Sequence, residues 1–132
     1  MVLNNNLPCA TCPWRVDKDA TVIPRYIHAA ACRLTNTVGE GDAFRPIMAC
    51  HHSTRQSKFA CNGYLAHMAT TGWPNINVRL LASKGEIPNP NDVLYACETY
   101  GVELHANYQD VLGKLAATRK KRTWKARKPP SN

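Results

Sequence analysis

PCATCPWR, residues 8–15, decides how this chain folds. Cys9 and Cys12 stand two residues apart between Pro8 and Pro13. That spacing lets two thiolates grip one metal ion from a single backbone turn. Cys50 and Cys61, in the later run CHHSTRQSKFAC, supply a second pair from far along the chain. Together the four sulfurs make a cage that gives a small protein a fixed point to fold around.

The cage is read as metal-binding because of the compartment. The opening MVLNNNLPCATC has neither a basic start nor an apolar stretch, so the expectation is no signal peptide and a cytoplasmic, reducing location. There, six cysteines point to metal ligands or buried thiols before disulfides. Cys32 and Cys97 lie in the apolar contexts HAAACRL and LYACETY and are expected in the core. No apolar run approaches the roughly 20 residues a spanning helix needs. At 132 residues and 44% AVILMFWYC, the chain suits one compact domain.

The pattern predicts a mainly α fold, with a small α+β arrangement as the alternative. Short helices surround a treble-clef-like or irregular four-cysteine zinc site. Residues 1 to 20 read as a loop carrying the first pair. Pro24 opens a helix to about Leu34, with Tyr26, Ile27, Ala30, Ala31 and Leu34 on one side. Ile47 to Cys50 reads as a small strand. Cys61 begins a helix with Leu65, Met68 and Ala69 as its apolar stripe and Gly72 as its stop. Asn77 to Ser83 is a further helical piece, and Asn91 is the expected N-cap of DVLYACETY. A last helix starts near Ala106 or Asn107, carries Tyr108, Val111, Leu112 and Leu115, and continues toward the basic residues. The expected division is a zinc-pinned domain, 1–113, and a basic C-terminal helix or arm, 114–132.

Zinc is the preferred metal, bound by Cys9, Cys12, Cys50 and Cys61, with His51 or His52 as a substitute ligand. A [4Fe–4S] cluster is the alternative, since Cys12-Pro13 matches the cysteine-proline step of ferredoxin runs. Cys61 at a helix start suits a thiolate. Four protein ligands leave no place for a water, so the site is read as structural. Trp14 is expected to pack over the site, and Arg15 to donate to the thiolates from outside the ligand set. His28, His67 and His105 read as ordinary surface or core histidines. No phosphate loop, nucleophile motif or carboxylate pair is present, and no enzyme activity is expected.

These motifs resemble an uncharacterised family of small cysteine-rich proteins common in phages and actinobacteria. Its members open on Cys-x-x-Cys-Pro-Trp-Arg, then carry a Cys-His pair and a Cys-x-Gly-aromatic element. Here those elements are Cys9, Cys12, Pro13, Trp14, Arg15, Cys50, His51, Cys61, Gly63 and Tyr64, within the first half of the chain. Tyrosine stands at 64 where tryptophan is more usual. The resemblance implies metal binding and a phage origin, and no particular activity.

The formal net charge of +8 is concentrated at the C-terminus. Lys114, Arg119, Lys120, Lys121, Arg122, Lys125, Arg127 and Lys128 are eight of the 17 Lys and Arg, with no acid among them. The remaining nine balance nine Asp and Glu. Such an arm binds phosphates with salt-sensitive, sequence-independent affinity, and Trp124 can stack on an unpaired base. The reading is therefore a non-enzymatic zinc module that binds nucleic acid or a host nucleoprotein complex. Two alternatives use other partners or chemistry. One is a phage-encoded inhibitor or adaptor docking on an acidic host-protein surface; the other is an iron–sulfur redox or sensor protein.

Overall fold

A computed structural model of the chain describes residues 6–23, 26–39, 41–51, 53 and 59–119. The described residues are mainly helical: α1 (His28–Arg33), α2 (Asn62–Thr70), α3 (Ile76–Ser83), α4 (Pro90–Thr99) and α5 (Tyr108–Thr118). Two 3-10 turns, Ala20–Val22 and Leu34–Thr37, lie on either side of α1. Strand pairing among the described residues is confined to isolated bridges, Arg15 with Leu104, Ala43 with Asn75 and Ala49 with Ala60.

The central element is α2. Tyr64, Leu65, Ala66 and Met68 are all fully buried, which exceeds the single stripe of Leu65, Met68 and Ala69 read from the sequence. A short helix apolar on most of its circumference belongs inside the core. It packs chiefly on α4, through which Val93 and Cys97 enter the same core. Val111 and Leu115 of α5 and Val78 of α3 complete it.

Three of the helices begin on an asparagine. Asn75 Oδ1 accepts from Asn77 N, Asn89 Oδ1 from Asn91 N, and Asn107 Oδ1 from Asp110 N, each satisfying an otherwise orphaned first-turn donor. The cap of α4 is thus Asn89, with Pro90 in the first turn, rather than Asn91. Asn75 does more than cap. It is completely buried, accepts from Arg45 N, and donates to Pro46 O and to the hydroxyl of Tyr64. Tyr64 in turn donates to Thr37 O at 2.7 Å. A fully satisfied polar chain therefore ties α2 and α3 to the loops around residues 37 and 46.

Several expectations are corrected. The first helix starts at His28, and Ile27 is its exposed N-cap; Pro24 lies outside the described residues. Cys32 is exposed, because α1 turns Ala31 inward and the next residue, about 100° round the helix, faces out. Residues 47–50 form no strand beyond the Ala49–Ala60 bridge. The last helix runs through the expected 113/114 boundary and stops at Thr118, where Arg119 turns extended (φ −61, ψ 146). No helix among the described residues is long and apolar enough to cross a membrane.

Candidate metal centre

The first cysteine pair sits in a tight turn closed by Cys12 N donating to Cys9 O at 3.0 Å. Backbone N–H groups of Thr11 and Trp14 also bond the sulfurs of Cys9 and Cys12. Such bonds favour the thiolate form that a metal requires. Arg15 locks the turn from below. Its Nε donates to Cys9 O at 2.7 Å and its terminal nitrogen to Pro8 O at 2.6 Å. The guanidinium therefore grips two carbonyls rather than the sulfurs, which corrects the role read from the sequence.

Downstream, Val16 N bonds Glu103 O and Trp14 O accepts from His105 N, pinning the turn against the approach to α5. From α5 itself, Lys114 Nζ donates to Pro13 O at 2.9 Å and Arg15 O at 2.7 Å. Lys114 is thus held against the cysteine turn. Its charge also lies close enough to Cys12 for the two to interact.

The second pair arrives through the Ala49–Ala60 bridge. Cys50 N donates to Phe59 O and Cys61 N to Met48 O, so the chain before and after the intervening loop runs side by side. Cys61 is the N-cap of α2 and makes no side-chain capping bond, leaving its sulfur available to the cluster. The sulfurs of Cys12 and Cys61, 49 positions apart, lie 3.8 Å apart. Cys12 is the neighbour that acts most strongly on the Cys9 thiol. On the far side of Cys9, His51 Nε2 is 3.4 Å from its sulfur and 3.0 Å from Thr11 Oγ1. The result is a continuous series, His51–Cys9–Cys12–Cys61. Among the described residues, no set of three or more His, Cys, Asp and Glu side chains is gathered as a ready-made metal-binding group; the donors meet pairwise.

Proton sharing follows from that crowding. The Cys9 thiol is pushed up to about 11, first by its interaction with Cys12 and then by burial. Cys12 is raised well above the ordinary thiol range, first by its hydrogen bond with Cys61. Neighbouring sulfurs cannot all become anions unless a cation joins them.

The close approach of the turn to α2 depends on Gly63. A Cβ there would meet Trp14 Cβ at 2.7 Å, Cys12 Sγ at 2.8 Å and Trp14 Cγ at 2.9 Å. Trp14 is completely buried. Its Nε1 points at Met48 Sδ at 3.4 Å, and its ring stacks on His67 (4.8 Å between centroids) and tilts against Tyr108 (5.3 Å). His67 bonds the Ala106 backbone, while its Nδ1 is buried without a hydrogen-bond partner. Burial lowers its basicity, and that of His105.

Residues 4–127 match the model of a family described as a family of unknown function (DUF6283). The chain belongs to that family. No curated protein and no solved structure matches the chain. The span shared with DUF6283 takes in the whole thiol series and most of the basic C-terminal run.

Of the residues singled out in the sequence, Cys9, Cys12, Cys61 and His51 come together, with Trp14 and Arg15 beneath them. Cys50 is half-buried one residue before His51. His52, Lys120, Lys121, Arg122, Trp124, Lys125, Arg127 and Lys128 lie outside the described residues. Sequence reasoning missed Lys114 as a clasp and gave Gly63 no role. The Cys-x-Gly spacing was the signal for the second, since a glycine two residues after a helix-capping cysteine marks a close approach.

Proposed function

We propose that this member of DUF6283 is a small non-enzymatic binding module whose N-terminal turn is pinned to α2 by one structural zinc ion. Cys9, Cys12 and Cys61 supply three thiolates and His51 an imidazole nitrogen. The observation that carries this reading is the 3.8 Å between the sulfurs of Cys12 and Cys61. With Zn–S bonds of about 2.3 Å, the edge of a zinc tetrahedron is also about 3.8 Å. A sulfur and a nitrogen on one zinc lie about 3.6 Å apart, against 3.4 Å for Cys9 and His51. Simple sulfur contact also produces a close pair. The continuation through four soft donors, two of them held by backbone N–H groups, is what favours an ion. When bound, zinc would add a cross-link between the N-terminal turn and the start of α2.

The module's binding element is the basic C-terminal segment. With Lys114 tied to Pro13 and Arg15, seven cations from Arg119 to Lys128 remain, with no acid among them. A segment of that composition fits phosphate backbones. The segment has the same chemistry as a nucleic-acid contact on a host complex, which keeps the phage-origin resemblance relevant.

Two measurements on the purified full chain test the proposal. Elemental analysis is expected to give one zinc per chain in the parent and none in Cys12→Ser. Random-sequence DNA or RNA is expected to bind the parent and not a chain ending at Thr118. Metal-free parent protein overturns the first part. Equal nucleic-acid binding by the truncated chain overturns the second.

A further inference from the structure

A cavity of about 500 Å³ opens beside α1. Tyr26, Ile27, Ala30 and Leu34, from α1 and its flanks, line it together with Met48 and Tyr108. Its size falls within the range of small-molecule pockets, roughly 300–1,000 Å³. The hydroxyls in the lining are already engaged. Tyr26 OH is 2.6 Å from His28 Nδ1, Tyr108 OH donates to Ala31 O, and Ser53 Oγ bonds both the N–H and the carbonyl of Phe59. The walls therefore offer a guest chiefly apolar and aromatic surface.

The basic run starts at the rim of this cavity. Leu115, one turn before the end of α5, is part of the lining. Thr118, the last residue of α5, accepts from Ala20 N at 3.1 Å, and the turn Ala20–Val22 leads directly into Ile23, another lining residue. Arg119 follows, exposed, and its charge reaches Tyr26. It is the first of seven cations with no acid among them. An anion drawn to this end of α5 thus meets an aromatic-lined cavity beside it. Nucleic acid repeats that pairing, since each phosphate carries a base one sugar away. An acidic peptide brings the charge without the ring.

We propose that the cavity takes one unpaired base of a single-stranded nucleic acid whose phosphates lie on the basic run. This inference rests on the nucleic-acid reading above and adds a base to a contact otherwise made with phosphates. A duplex keeps its bases stacked and cannot fill the cavity without opening. Because the lining hydroxyls are taken, the pocket distinguishes a base from no base, and stacking of this kind tolerates every base.

The test compares two fluorescently labelled single strands of equal length. One is a thymidine strand; the other is built of stable abasic tetrahydrofuran units and carries the same phosphates without bases. The full chain is expected to bind the thymidine strand at least about fivefold more tightly, the lower end of what stacking one base contributes. Ala30→Leu, which grows into the cavity from α1, is expected to bind both strands as the parent binds the abasic one. Equal binding of the two strands by the parent, or a preference that survives in a folded Ala30→Leu chain, overturns this inference and leaves phosphate binding by the basic run standing. Binding of neither strand overturns both. If Ala30→Leu does not fold, photocrosslinking of the parent to a strand carrying 5-iodouracil decides the matter. A link to Tyr26 or Tyr108 upholds the inference, whereas a link to Trp124 alone, or none, overturns it.

Discussion

Replacing Gly63 with alanine probes the joint between the cysteine turn and the core, and Gly113 supplies an opposite-sign control. Both glycines lie inside helices, α2 and α5. At an open helical position, alanine is favoured over glycine by about 0.4–1 kcal/mol, because it restricts the unfolded chain and suits the helix better. Gly113 is such a position: a methyl placed there would have no neighbour within 4 Å, and the residue is exposed. At Gly63 the same methyl meets three atoms of Trp14 and Cys12 between 2.7 and 2.9 Å. None of these is the loose end of a flexible side chain. Trp14 is clamped by Met48, His67 and Tyr108, so α2 and the turn must separate. Overpacking of this kind costs about 1–3 kcal/mol, occasionally more, which outweighs the helix gain. For a chain of this size, 1 kcal/mol moves the melting temperature by roughly 3–6 °C. Thermal and urea unfolding followed by circular dichroism are expected to show Gly113→Ala melting a few degrees above the parent. Gly63→Ala should melt about 3–15 °C below it. A Gly63→Ala protein as stable as the parent would refute the packing of Cys12 and Trp14 on α2.

Lys114→Met keeps the apolar stem and removes both hydrogen bonds to the carbonyls of Pro13 and Arg15; a loss of about 1–3 kcal/mol in urea unfolding is expected, and a change below about 0.5 kcal/mol would deny the clasp. Burial lowers the folded-state pKa of His67 and His105, so the unfolded chain takes up more protons below its own histidine pKa of about 6.5. Stability from these rings is present above that pH and lost as pH falls below it, and His67→Gln should flatten the decline in melting temperature; an unchanged slope would contradict it. For the basic segment, the logarithm of nucleic-acid affinity should fall with the logarithm of salt at a slope of about −3 to −6, as expected for several of seven cations meeting phosphates, and a slope near zero would deny the electrostatic contact.

How much of this is legible in the sequence depends on whether a signal is local. Cys61 at the head of α2, Gly72 after its end and the start of α5 beside Asn107 are local chemistry, and all are readable. The cap of α4 lies two residues before the expected Asn91, at Asn89-Pro90, where an asparagine before a proline is itself a start signal. Cys32 escapes the pattern because α1 is only six residues long, too short for its apolar neighbours to fix which side faces in. The clustering of Cys9, Cys12 and Cys61 can be anticipated from spacing. The approach of His51 to Cys9 cannot, since His51 sits in the turn that follows the Ala49–Ala60 bridge, closed by Ser53 N on Cys50 O, and only the fold brings that turn beside the first cysteine pair. Lys114 looks like the first residue of a basic run. Its partners are carbonyls about a hundred positions earlier, and only the fold brings them together.

X-ray absorption at the zinc edge of the purified full chain addresses the central claim most directly. The account predicts three sulfurs at about 2.3 Å and one nitrogen at about 2.0–2.1 Å, the nitrogen disappearing in His51→Ala. A shell of four sulfurs would seat Cys50 in place of His51, and a protein without zinc, or with zinc ringed by oxygen, would contradict the account.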